Sequence, residues 1–141
     1  MLSMQNVSMV YRTETVETHA LREFSLQVDD GEFVSVSGPS GSGKTTFLSL
    51  IGGLTKPTSG EVTLDGIRLS NLDDEALAAL RNRKIGFMFQ FASLIPTLTV
   101  LENVLFPVAF SPDEGEKADD LLQKLGEELL RLVGLSDKLH A

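Results

Sequence analysis

Gly38-Pro39-Ser40-Gly41-Ser42-Gly43-Lys44-Thr45 fits the phosphate-binding loop pattern of glycine, four residues of any kind, glycine, lysine, then serine or threonine. The flanks fit as well. Upstream, Glu32-Phe33-Val34-Ser35-Val36-Ser37 is a short β-branched run with an aromatic, which predicts a buried strand. Downstream, Phe47, Leu48, Leu50 and Ile51 give a short helix an apolar face, and Gly52-Gly53 ends it. Strand, glycine loop and helix in that order supply the geometry that phosphate binding needs. Gly38, Gly41 and Gly43 let main-chain N–H groups approach an anion closely. The helix starting near Lys44 turns its positive dipole end toward the same place. A lysine here reaches the β- and γ-phosphates, and the hydroxyl at Thr45 is placed to ligate Mg²⁺.

The 141 residues are sized for one domain with a core of its own. Hydrophobic residues are 42% and charged residues 23%, as in ordinary globular chains. There is no cysteine, which excludes disulfides and thiolate metal sites. His19 and His140 are read as surface side chains. A formal charge of −8, with no run of lysine and arginine, argues against nucleic acid as a principal partner. No signal peptide is visible at Met1. The apolar stretch from Ile85 to Phe110 is interrupted by Gln90, Pro96, Glu102, Asn103 and Pro107, so it is not a membrane span. A cytosolic chain is expected, with any membrane contact made through a partner.

Around this centre, residues 2–11 and about 20–28 read as two strands. Asp65-Gly66 between Glu61-Val62-Thr63-Leu64 and Ile67-Arg68-Leu69 predicts a hairpin. Residues 72–83 predict a helix with Asp73, Asp74 and Glu75 in its first turn and Leu72, Ala76, Leu77 and Leu80 as its apolar stripe. Ile85 to Phe89 reads as a second buried strand. Thr99-Val100-Leu101-Glu102 has capping-box spacing and should open a short helix. A last helix is expected from Ser111, with Pro112 at its first position and Glu114 three residues after the cap. Its stripe is Leu121, Leu122, Leu125, Leu129, Leu132 and Val133, and it ends at Gly134. Gly126 weakens it by roughly 1 kcal/mol.

The order of motifs narrows the reading further. Gly31-Glu32-Phe33 precedes the loop. Gly52-Gly53-Leu54-Thr55-Lys56-Pro57-Thr58-Ser59-Gly60-Glu61-Val62 follows it. Then come Ile85-Gly86-Phe87-Met88-Phe89-Gln90 and Leu94-Ile95-Pro96-Thr97-Leu98-Thr99-Val100-Leu101-Glu102-Asn103-Val104. From about residue 4 to 139 the chain resembles the ATP-binding subunit of an ABC transporter, in the branch serving lipoprotein release and macrolide-type export. That branch often carries Phe-Gln-Phe where this chain has Phe89-Gln90-Phe91.

The resemblance implies an α/β fold: a P-loop NTPase core of ABC type, an N-terminal antiparallel β subdomain and the start of a helical subdomain, incomplete at its C-terminal side. It implies a single nucleotide-binding domain over 1–141, with the β subdomain and phosphate-loop core in about 1–90 and the helical part in about 91–141. It implies nucleotide binding by Gly38, Pro39, Ser40, Gly41, Ser42, Gly43, Lys44, Thr45 and Thr46, with ATP and Mg²⁺ as ligands. Tyr11 is similar to the aromatic that stacks on adenine; packing at the end of a strand is the plainer role for it. Gln90 is similar to the Gln-loop residue, so Thr45 and Gln90 would share the metal. Phe91 to Val104 resembles the surface on which a transmembrane subunit docks, and burial in the helical subdomain is the alternative for Leu94, Ile95, Leu98 and Val100. A second ATP-binding subunit, head to tail, and a peripheral place on the inner face of the membrane follow from the same likeness.

The chain also departs from the family. It ends at Leu139-His140-Ala141, where the family continues toward Leu-Ser-Gly-Gly-Gln. The strand ending in Asp-Glu and the switch histidine are not in these residues. The complete subunit is therefore expected to hydrolyse ATP, and these 141 residues alone are not. The alternative is a truncated polypeptide that binds nucleotide weakly or not at all. A nucleoside kinase or GTPase finds no support, since neither a nucleoside lid nor an Asn-Lys-x-Asp base reader is present.

Overall fold

Two long strands begin the chain: β1 (Leu2–Arg12) and β2 (Glu17–Val28) pair antiparallel, from Leu2 opposite Val28 to Arg12 opposite Glu17. The structure, a computed structural model, describes residues 1–91, 93–110 and 119–141. It divides into two units, Met1–Arg81 and Asn82–Ala141.

In the first unit, β3 (Ser59–Leu64) lies antiparallel on the other side of β1, and β4 (Ile67–Arg68) adds the last strand, giving the order β2-β1-β3-β4. Asp65 and Gly66 take φ of +50° and +78°, the paired positive values of the tight hairpin expected from Asp-Gly. Met4 sits between Leu26 and Val62 across the sheet. Strict alternation would then send Val7 to solvent. A register shift between Met4 and Val7, with Asn6 at φ +48°, turns it back, and Met4 and Val7 are both buried.

Helix α1 (Lys44–Ile51) lays Phe47 and Leu50 on this sheet, and the Phe47 ring meets Phe24 edge-on at 5.6 Å. Gly52 caps the helix through its N–H to Leu48, and Gly53 follows at φ +62°. Helix α2 (Asp74–Lys84) adds Leu77 to the core, with Leu72 and Leu80 packed beside it. Asp73 does not lie in its first turn as expected. Its carboxylate accepts from the Ala76 N–H at 2.8 Å, so it is the cap.

Two sequence expectations are corrected. Residues 32–38 and 85–89 belong to no strand ladder. Phe33 is 96% exposed and Met88 98% exposed. An apolar run becomes a strand only where neighbouring backbone supplies partners for its N–H and C=O groups. Among the described residues the sheet is antiparallel, and neither run has such a neighbour.

The second unit contains α3 (Val100–Leu105) and α4 (Asp119–Leu132). The expected start of α4 at Ser111, Pro112 and Glu114 lies outside the described residues. The expected stripe divides. Gly126 and Leu130 are the buried positions of α4, whereas Leu121, Leu125, Leu129 and Leu132 are exposed. Gly126 is no weak spot: a Cβ there would lie 2.7 Å from a Leu101 methyl and 2.9 Å from a Leu105 methyl. Leu101 and Leu105 of α3 pack directly over it. Gly134, at φ +77°, follows the helix end as the sequence suggests.

Candidate phosphate-binding site

The loop runs from the unpaired segment 32–38 into α1. Gly43 occupies the cap position of α1 at φ +89°, and a Cβ there would lie 2.4 Å from the carbonyl oxygen of Ala20 in β2. Only glycine fits, because the conformation is left-handed and the strand is too close. No side chain caps α1, and its first turn carries no acidic residue. The leading N–H groups and the positive end of the helix dipole are therefore not answered by a capping side chain or by an acidic residue of the first turn.

Lys44 folds over the loop. Its ammonium donates to the carbonyl oxygens of Gly38 (2.8 Å) and Pro39 (2.7 Å) and to Ser42 Oγ (3.3 Å). All three partners are neutral oxygens. An anionic phosphate offers this ammonium a charge-assisted bond in their place. The Ser42 N–H closes the loop on the Pro39 carbonyl. Ser40, Gly41 and Thr45 are exposed, and Thr46 is half-buried. Backbone N–H groups, a helix start and one cation lie together here with a hydroxyl at Thr45, a set of donors of the kind that suits an anion.

Tyr11 lies near the end of β1 opposite Thr18, exposed to 44%. Ala20, which abuts Gly43, is two residues along β2 from Thr18. Tyr11 and the loop are thus both placed by the β1–β2 hairpin of the first unit. Gln90 belongs to the second unit and is exposed in a bend after residues 85–89. Beside it, the Phe87 and Phe89 rings stack at 5.7 Å, and Phe91 is 80% exposed. Among the described residues no cluster of three or more His, Cys, Asp or Glu side chains could hold a metal ion. A metal here would depend on hydroxyl, amide and phosphate oxygens.

The expected capping box is present in full. The Thr99 N–H and Oγ1 donate to Glu102 Oε2 at 2.7 and 2.8 Å, and the Glu102 N–H donates to Thr99 Oγ1 at 3.2 Å. The backbone bond from Thr99, then its hydroxyl bond, hold the Glu102 carboxyl below the usual range. Sequence reasoning overlooked Asn103. Its amide binds four backbone groups of the preceding turn. An asparagine four residues after a threonine cap, with a proline turn upstream, was the available signal. Leu94 is 66% exposed, while Ile95, Leu98 and Val100 are half-buried.

Comparison with known proteins gives a consistent result. Residues 21–139 match the family model described as ABC transporter. An uncharacterized ABC transporter ATP-binding protein of Thermotoga maritima is 44% identical over 139 residues, 99% of this chain and 58% of the relative. The lipoprotein-releasing system ATP-binding protein LolD of Anaeromyxobacter dehalogenans is 47% identical over 130 residues, 92% of this chain and 53% of the relative. The fold superposes on a dimeric post-hydrolysis structure of the ATP-binding cassette MJ0796, bound to ADP and Pi, with a TM-score of 0.89 and 42% identity, covering 99% of this chain and 60% of that one. MJ0796 is a protein of Methanocaldococcus jannaschii. The chain thus spans a little over half the length of the relatives it matches.

Proposed function

The chain belongs to the ABC transporter ATP-binding family, and on that premise we propose that it binds MgATP through residues 38–46 as part of a subunit that powers a membrane transporter. Members of this family are ATPases. The observation that carries the reading is the uncapped start of α1 beneath a lysine whose partners are all neutral oxygens. In the proposal Gly38, Pro39, Ser40, Gly41, Ser42 and Gly43 offer backbone donors. Lys44 takes the β- and γ-phosphates, and Thr45 and Thr46 complete the cradle. Mg²⁺ would be held by the Thr45 hydroxyl together with phosphate oxygens, and Gln90 would serve as the Gln-loop residue. Tyr11 stacks on the adenine ring. The 141 residues form one nucleotide-binding domain together with the remainder found in relatives. A second copy pairs head to tail across the nucleotides, and a transmembrane subunit docks on residues 91–104 at the inner face of the membrane. The likeness to LolD supports an export or lipoprotein-release role. No described helix is long and apolar enough to cross a membrane.

Turnover by these residues alone is not part of the proposal. Phosphoryl transfer needs several positioned groups acting together, and this sequence supplies the cradle, one metal-ligating hydroxyl and the Gln loop. Titration with MgATP tests the reading. Lys44→Ala should remove a charge-assisted contact worth roughly 1.5–3 kcal/mol, about 10- to 150-fold in affinity. Equal affinities in wild type and variant would refute the assignment.

A further inference from the structure

Asn103 makes four hydrogen bonds, all to the backbone of one five-residue turn. Its Oδ1 accepts from the Ile95 N–H at 2.8 Å, and its Nδ2 donates to the carbonyls of Ile95 (3.1 Å), Leu98 (3.0 Å) and Thr99 (3.0 Å). An asparagine amide has one acceptor oxygen and two donor protons. Every one of them is engaged, and one proton is shared. At Ile95 the amide takes both the N–H and the C=O, as a neighbouring strand would.

The turn needs this clamp. Pro96 has no N–H to give. Among the described residues, one backbone bond closes the turn on itself, from the Leu98 N–H to the Ile95 carbonyl at 3.1 Å. Where α3 meets Gly126 of α4, the contacts come from Leu101 and Leu105. The bonds of Asn103 go to loop shape. Their result is a fixed turn with Ile95 and Leu98 half-buried and Leu94, at its start, 66% exposed.

We propose that Asn103 is a positioning residue for partner docking: its amide holds the Ile95–Thr99 turn in the shape that presents Leu94 to the transmembrane subunit. This rests on the reading of residues 91–104 as the docking surface. A turn already ordered before contact loses less conformational freedom on binding, which raises affinity without any added contact. The side chain is tightly specified. Aspartate keeps the acceptor for the Ile95 N–H, but it loses both donors and sets a negative charge against three carbonyls. Alanine loses everything.

The test uses the complete subunit and the transmembrane subunit of its own transporter in detergent. Binding between them, MgATP affinity and backbone hydrogen exchange at residues 95–99 are measured for wild type, Asn103→Ala, Asn103→Asp and Leu94→Asp. Both Asn103 variants should bind the transmembrane subunit about tenfold or more weakly, exchange faster at Leu98, and bind MgATP as wild type does. If Leu94→Asp weakens binding while both Asn103 variants bind normally despite faster exchange, the positioning role is wrong and the docking surface stands. If Leu94→Asp also binds normally, the docking surface itself is wrong. Should Asn103→Ala fail to fold, Asn103→Asp decides. A parallel loss of MgATP affinity in that variant would make Asn103 a general support of the fold and overturn the proposal.

Discussion

A methyl group at Gly43 would lie 2.4 Å from the Ala20 carbonyl oxygen, on a backbone at φ +89°. Either fact alone excludes a larger residue. A left-handed non-glycine residue costs of order 1–3 kcal/mol, and the contact with β2 adds to it. Gly43→Ala should therefore lower the unfolding free energy by at least about 1 kcal/mol and weaken MgATP binding as well, since the α1 N–H groups lose their aim. A denaturant titration checks the first effect. Unchanged stability would mean that the loop is not held against Ala20. The pattern of glycines, lysine and threonine was legible in the sequence because phosphate chemistry constrains residue type directly. The contact with Ala20 was not, because it joins residues distant in sequence through the fold. Asn103 was overlooked for a related reason: an amide in an apolar stretch reads as an interruption until its four backbone partners are located.

Among the elements, α3 and α4 give predictions of opposite legibility. The capping box at Thr99 and Glu102 was readable from spacing, and the structure forms both of its reciprocal bonds. Because the Glu102 carboxyl is held below its usual range, its ionised form favours the folded state. That contribution is fully present above the ordinary glutamate range and is lost as pH falls through the lowered folded value. Thr99→Ala removes the hydroxyl bond and keeps the backbone one, so it should erase part of that contribution, and the Tm gap between wild type and variant should shrink on acidification. A gap independent of pH across that window would contradict the assignment. Gly126 was misread. Helix propensity alone says that Gly126→Ala gains about 1 kcal/mol. Two leucine methyls within 3.0 Å of the new Cβ say that α3 must yield, and overpacking of this kind costs about 1–3 kcal/mol. A net loss of stability is expected; a gain near 1 kcal/mol would show that α3 moves aside freely. The runs at 33–37 and 85–89 were misread for another reason. Their composition suits a strand, but strand formation also depends on neighbours, and no sequence window contains those.

For the whole molecule, the proposal is one phosphate cradle at residues 38–46, carried by an antiparallel sheet and a short helix. The superposition on an ADP-bound cassette at a TM-score of 0.89 covers 99% of this chain, so the scaffold around the cradle is the family's own. Pairing of two subunits, docking on a membrane partner and turnover are proposals of their own. The cradle can be tested in the chain as it is. The most direct measurement is the set of backbone amide resonances of the isotope-labelled chain, recorded as MgATP is added. The largest shifts are expected within residues 38–46, and Lys44→Ala should abolish them at the same nucleotide concentration. Shifts confined to other residues, or shifts in the loop that persist unchanged in Lys44→Ala, would contradict the proposal.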